Sequence, residues 1–281
     1  MKKLAIFAAI LFVATSALNA GDIRVRHWDN GNADGVAADM TWSDGADISD
    51  NFSAAWSWHM GWDDNGNWAV ANSNGDGHAG LDDAYVGWNN SWGTWHTGTM
   101  PCAMIGNSFM CDGNDYNMGI GGNFDGHHIG LNDLGGWALN IWMTDDGDDM
   151  GMSTDLSDMV GWGMTLGTFS DHDANTNTTT DSMWATASMD LGGAATLDIE
   201  WVDGDNAGGT NLTLGYAIND DLGLSIQMGD HDTGHTWGGS TASGASAEMT
   251  RFTLSWGGNW SFSTADDGTN EMMVVDYSAS F

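Results

Sequence analysis

Six stretches of this chain carry apolar side chains at every second position. Phe52, Ala54, Trp56, Trp58, Met60 and Trp62 alternate with Ser53, Ser57 and His59. The same beat runs through Trp137, Leu139, Ile141 and Met143, with Asn140 on the other side, and through Val160, Trp162, Met164 and Leu166. It returns in Ala195–Trp201, Leu222–Met228 and Arg251–Trp256. A period of two requires β-strands with two unlike faces. One apolar face per strand would also suit a sandwich core, so the other face decides. It reads as small, polar or charged in nearly every segment, which suits a closed sheet with water inside and hydrocarbon outside.

The clearest hairpin is Leu81–Met100, where Ala84, Val86 and Trp88 lead through the turn Asn89–Ser91 to Trp95 and Thr97. Asp83, Tyr85, Gly87, Thr94 and His96 fall on its second face. Tight connections at Asn132–Gly135, Asp190–Gly193, Asn219–Gly223 and Gly257–Asn259 alternate with longer polar ones at Ala71–Gly80, Pro101–Gly122, Ser170–Asp181 and His231–Ala247. This is the rhythm of an all-β, antiparallel transmembrane barrel with short turns at one end. Sixteen strands can be placed between Asp22 and Phe281, fourteen if the weak ones near 22–28, 123–132 and 149–155 are not strands. Tryptophans near strand ends suit an aromatic girdle.

Residues 1–20 are set apart from the fold. Lys2 and Lys3 precede the apolar run Leu4–Val13, and Ser16–Ala20 ends in small residues, the pattern of a secretory signal peptide cleaved after Ala20. The remaining 21–281 reads as one barrel domain. Its only cations are Arg24, Arg26 and Arg251 against 39 acids, and loss of Lys2 and Lys3 makes the formal charge of −34 two units more negative. That balance excludes nucleic acid as a partner, because phosphate binding needs Lys and Arg. Acidic chains of low hydrophobicity stay disordered; 17 Trp and a 41% hydrophobic content argue for a folded chain. No run after residue 20 reaches the length of a membrane helix.

Ala84-Tyr85-Val86-Gly87-Trp88 followed by Trp92-Gly93-Thr94-Trp95-His96-Thr97-Gly98 resembles the general Gram-negative porins, in which AYVGL leads through a short turn to FGTLTLGR. Asp39–Trp62 is similar to an earlier hairpin of that family in turn and rhythm. The end Met273–Phe281 is similar to the terminal strand, closing on Phe281, that barrel-assembly machinery recognises. The resemblance implies a sixteen-stranded barrel in outer-membrane lipid, a homotrimer, and a third loop, here Pro101–Gly122, folded inward to narrow the pore. It also marks departures. Met100 stands where the family has Arg, and Asp82 and Asp83 where an eyelet Arg is often found, so the transverse field and charge selectivity of the family are expected to shift.

Within the narrowing loop, Asp112 and Asp115 are the candidate constriction acids, with Asp82 and Asp83 as partners on the nearby strand end. Carboxylate rings favour cations in a pore. Arg24, Arg26 and Arg251 alternate against apolar neighbours and should face the lumen, paired with carboxylates; an arginine facing lipid would cost about 2–4 kcal/mol. Cys102 and Cys111 are expected to form a disulfide in an oxidising compartment, and closing a loop of about ten residues stabilises it by about 2–3 kcal/mol. No cofactor is implied. Asp145–Asp149 and Asp203–Asp205 could hold Ca²⁺ loosely, without EF-hand spacing. His127-His128 and His231/His235 read as surface histidines ahead of metal sites. No hydrolase or nucleotide motif occurs, and no Ser/His/Asn triad is singled out.

The reading is therefore a non-enzymatic outer-membrane porin, a water-filled and cation-selective channel for passive diffusion of small hydrophilic solutes and ions. Two other readings stand behind it. One is an acidic surface barrel acting as a cation-binding or adhesive coat protein without an open pore; the other is an outer-membrane hydrolase.

Overall fold

A half-buried strand cannot leave its edges unpaired in an apolar medium, and in the wall of this barrel none is left. The computed structural model describes residues 21–29, 34–63, 80–101, 123–132, 134–135, 137–173, 178–205, 208–231, 236–237, 240–241, 247–266 and 271–280. The first strands are β1 (Gly21–Asp29), β2 (Asp34–Ser49), β3 (Phe52–Asp63), β4 (Gly80–Asn90), β5 (Gly93–Pro101) and β6 (Asn123–Leu131). Next come β7 (Ala138–Thr144), β8 (Met150–Asp155), β9 (Gly163–Asp173), β10 (Thr178–Gly192), β11 (Ala195–Gly204) and β12 (Gly208–Asn219). After β13 (Leu222–His231), the two-residue strands β14 (Thr236–Trp237) and β15 (Ser240–Thr241) pair only with each other. β16 (Ala247–Trp256), β17 (Trp260–Asp266) and β18 (Glu271–Ser280) complete the chain.

Each strand of the wall pairs antiparallel with its neighbour, and β18 returns to β1, giving a closed barrel of sixteen strands. The segments expected to be weakest form β1, β6 and β8, so the fourteen-strand count falls away. Two connections differ from expectation. Ser170 and Asp181 are not loop ends, because β9 runs on to Asp173 and β10 starts at Thr178, pairing Thr178 with Asp173. The β8–β9 connection holds one helical turn, Ser157–Val160, closed by Gly161 at φ 80°. The expected leader 1–20, the loop 102–122 and its proposed inward fold, the pair Cys102 and Cys111, and the connection 71–79 lie outside the described residues.

The register carries the two faces round the barrel, with bulges at Asp190–Gly192, Ala217–Asn219, Asp47–Ser49 and between Leu81 and Asp83. On the outer face Leu214, Ile226, Phe252 and Thr264 follow one another across β12, β13, β16 and β17. Large apolar side chains there stay exposed, among them Ile141, Met152, Leu224 and Phe252. Outer aromatic contacts gather at the end with short turns: Trp42 on Trp58, Trp88 against Phe52 and Trp92, and Trp260 between Trp256 and Tyr277. Towards the opposite end the outer face is supplied by Met143, Met150, Met183, Met228 and Met273.

The inward face departs from its sequence reading. It is polar in much of the wall, yet Met100, Phe124, Trp142, Phe169, Trp184 and Val202 also lie on it and are buried. Trp142 is the partner of Gly151 and of inward His128, so it shares a side with Asn140 rather than with Ile141. It contacts Phe124 and Phe169, with ring centroids 5.7 and 5.2 Å away. Glycine makes the room. A Cβ on Gly151 would meet the Trp142 ring at 2.6 Å, and one on Gly167 the Trp184 ring at 2.3 Å. Each indole thus lies flat on the wall across a glycine of the next strand.

Opposite solvents on the two faces give a direct expectation. Ile226→Arg, on the outer face, should lower unfolding free energy in lipid vesicles by about 2–4 kcal/mol, and Ser225→Arg, one residue away on the inner face, by less than about 1 kcal/mol. Denaturant titration of both variants checks it; equal losses would contradict the assignment of faces.

Candidate functional site: the inward-facing wall

With polar side chains turned inward on most strands, what the barrel can do depends on where its few charges sit. Arg24 and Arg26 alternate with Ile23 and Val25 on β1 and reach across the closing seam to β18. Arg24 Nη2 donates to Asp276 Oδ2 and Arg26 Nε to Asp276 Oδ1, both at 3.0 Å. One largely buried carboxylate thus serves two guanidinium groups. Arg251 lies on the same face of β16, where its Nη2 is 3.5 Å from Ser263 Oγ. The three arginines therefore occupy one sector, β16 to β1. Asp276 was missed in the sequence, although it alternates with apolar Val275 and Tyr277 in the terminal strand.

Carboxylates and hydroxyls share the rest of the wall. Asp83 on β4 accepts a hydrogen bond of 2.6 Å from Ser57 Oγ on β3, and its backbone N–H donates back to the same oxygen at 3.1 Å. On β11, Asp198 accepts from Ser188 Oγ at 2.5 Å, and Glu200 accepts from Asn211 Nδ2 at 3.0 Å. Thr253 and Ser263 join hydroxyls at 2.9 Å. These acids were legible as polar positions but not as partners, because each partner lies on a neighbouring strand. Of the expected constriction acids, only Asp83 has a described side chain; Asp112, Asp115 and the side chain of Asp82 lie outside the described residues.

A third sector runs from β4 to β8. His96 and His128 are direct register partners, and their Nδ1 atoms stand 3.2 Å apart. His128 Nε2 lies 3.2 Å from Asn140 Oδ1, and Asn140 Nδ2 donates to Ser153 Oγ at 3.4 Å. The Asn140 oxygen can only accept, so Nε2 of His128 carries the hydrogen and its Nδ1 presents a lone pair, to which His96 Nδ1–H donates. Tyr85 meets the His96 ring edge-on, centroids 5.6 Å apart. Gly87 leaves room for that imidazole, since a Cβ there would stand 2.8 Å from it. His128 is consequently not a surface histidine: it is 5% exposed and faces inward. Its neighbour His127 points outward, stacked on Trp95 and 3.7 Å from Asp145.

The order Ser153–Asn140–His128 bears on the hydrolase reading. A serine nucleophile needs the imidazole as its base, with the amide behind it. Here the amide stands between them, with its oxygen on His128 Nε2 and its nitrogen on Ser153 Oγ. In the turn after β7, Asp146 accepts from Thr144 Oγ1 at 2.7 Å and from the Asp148 N–H at 3.2 Å. Those bonds favour the charged carboxylate and lower its pKa, the Thr144 hydroxyl contributing most.

No family model matches this sequence, and no curated protein matches it. Solved structures do. The barrel is similar to OmpF of Salmonella typhi, solved as a complex with daunomycin, with a TM-score of 0.64, 13% identity, and 93% of this chain and 96% of that one covered. It is similar to a Rhodopseudomonas blastica porin variant, with a TM-score of 0.61, 14% identity, and coverage of 93% and 99%. OmpT, an outer membrane protein of Vibrio cholerae in its trimer form, gives a TM-score of 0.61 at 9% identity, with coverage of 93% and 98%. At such identities the likeness establishes the sixteen-stranded porin fold.

Removing the shared carboxylate should expose its role. Asp276→Asn leaves two adjacent guanidinium groups without a counter-charge and weakens two charge-assisted bonds, so unfolding free energy should fall by about 1–3 kcal/mol. Ser261→Ala, the register neighbour of Asp276 on β17, should cost much less. Denaturant titration of the two variants provides the comparison.

Proposed function

We propose that this chain forms a water-filled channel in an outer membrane, passing small hydrophilic solutes and ions by passive diffusion and favouring cations. The observation that carries the reading is the closed, two-faced wall: exposed apolar side chains outside, and inside a polar lining in which acids compete with only three arginines. A soluble protein would not leave Phe252 and Met152 about half exposed on one face. The fold of porins such as those of Salmonella typhi and Rhodopseudomonas blastica supports the channel reading, and the trimer form of the Vibrio cholerae protein supports a homotrimer.

Selection then follows from charge and size rather than from chemistry on the solute. Inward carboxylates at Asp83, Asp198 and Glu200 favour cations at the wall. Arg24 and Arg26 share one Asp276, which offsets one of their two charges, so the positive side of the lumen is confined to the seam sector. On this reading Asp112 and Asp115 add to the negative side of the constriction, with Cys102 and Cys111 holding that loop in one shape.

Planar-bilayer recording under a salt gradient tests the proposal. Single-channel steps with a reversal potential of cation sign are expected, and replacing Asp198 and Glu200 by Asn and Gln should move that potential towards anions. Anion preference in the unaltered protein would overturn the selectivity. Well-folded protein that gives no conductance steps would overturn the channel and favour the acidic coat barrel.

A further inference from the structure

We infer that the His96–His128 pair is a binding site for a transition-metal cation of the Zn²⁺ or Cu²⁺ class, set in the wall of the barrel. Two nitrogens bound to one tetrahedral ion at about 2.0–2.1 Å lie about 3.3 Å apart. The two Nδ1 atoms stand 3.2 Å apart, on adjacent strands whose ladder fixes their spacing. Their rings are inclined by only 21°, with centroids 5.5 Å apart, so the two Nδ1 atoms face each other along one line, joined by a hydrogen bond. Both rings must turn for their lone pairs to converge on an ion.

One member of the pair, His128, has the surroundings of a metal ligand. A ligating histidine usually donates its second N–H to a fixed acceptor, which sets the tautomer and raises the basicity of the ligating nitrogen. His128 does this through Nε2 to Asn140, which Ser153 orients in turn. His96 rests across Gly87 and against Tyr85. When the ion enters, both rings swing towards the barrel interior and His96 keeps its proton by moving it from Nδ1 to Nε2. His96 and His128 stay neutral, and no proton is released.

The wall also sets the class of ion. Imidazole suits Zn²⁺, Cu²⁺ and Ni²⁺, whereas Ca²⁺ and Mg²⁺ demand oxygen ligands. Among the described residues no third His, Cys, Asp or Glu joins the pair as a ready-made cluster. Water completes the shell, as in an open site, and exchange stays possible. Carboxylates elsewhere on the inward face raise the local concentration of divalent ions without choosing between them. The pair supplies the choice.

The inference uses the inward placement of the pair but not conductance, so its test is separate from that of the channel. Cu²⁺ is titrated into the detergent-folded barrel by calorimetry, and its paramagnetic resonance spectrum is recorded. One ion per chain is expected, with two nitrogens in its equatorial plane. His96→Asn and His128→Asn should each weaken binding at least tenfold and leave one nitrogen. His127→Asn, Cys102→Ser and Cys111→Ser should change neither readout. Should either of the first two variants fail to fold, Asn140→Leu serves instead: it keeps both imidazoles, and weaker binding with two nitrogens is the result expected. Undiminished binding in His96→Asn and His128→Asn, a spectrum without nitrogen coupling, or no saturable binding would each overturn the assignment.

Discussion

Everything in this molecule depends on the ladder between β1 and β18. In hydrocarbon an unpaired backbone N–H or C=O finds no water, and each such group costs several kcal/mol. Fifteen antiparallel pairings would still leave two open edges; the sixteenth, from Asp22 opposite Ser280 to Asp29 opposite Met273, removes them. The same seam carries two ion pairs on one carboxylate. Arg24 and Arg26 come from the first strand and Asp276 from the last, so their bonds form only when the barrel closes. Side-chain electrostatics and backbone closure thus stabilise one event.

Closure in turn imposes the alternation. Once the sheet is a cylinder, odd and even positions of every strand meet different surroundings, and a register slip of one residue would exchange them along a whole strand. The outer face obeys this on most strands, since a lipid-facing charge is costly at mid-depth; His127 and Asp125 on β6 are departures. The inner face is less constrained, because a closed wall can also pack side chains against itself. That freedom is where Trp142, Phe169 and Trp184 sit, across glycines that remove competing side chains.

This difference explains what could be read from the residues alone. The hairpin Leu81–Met100 is legible because its pattern is local and the turn lies within it. The strand count was legible for the same reason, even where β1, β6 and β8 were faint. Trp142 was not, since tryptophan on either face gives the same letter, and only its register with Gly151 and His128 tells them apart. The same holds for the site. Arg24, Arg26 and Arg251 were placed on the polar face by alternation with apolar neighbours, but the carboxylate shared by two of them lies some 250 positions away in the chain. His128 was misread because the doublet His127-His128 looks like a polar tip. In a strand, adjacent residues face opposite ways, so one of the two had to point inward.

The distribution of charge follows from the same geometry. A barrel with only three arginines could scatter them singly among its acids, each neutralised where it stood. They gather instead within the four neighbouring strands β16, β17, β18 and β1, two of them on one carboxylate, while Asp198 and Glu200 lie on β11, three strands round the wall from β16. Charges on separate sectors of a water-filled lumen are screened over about 10 Å at ordinary ionic strength. On the channel reading each sector therefore acts on a passing solute mainly by itself. The seam presents a hydrogen-bonded patch with an excess of guanidinium, the β11 sector presents anions, and the β4–β8 sector presents imidazoles and hydroxyls beside Asp83. On the reading proposed here, preference for cations arises from the excess of carboxylates over arginines along the path rather than from one ring at one height.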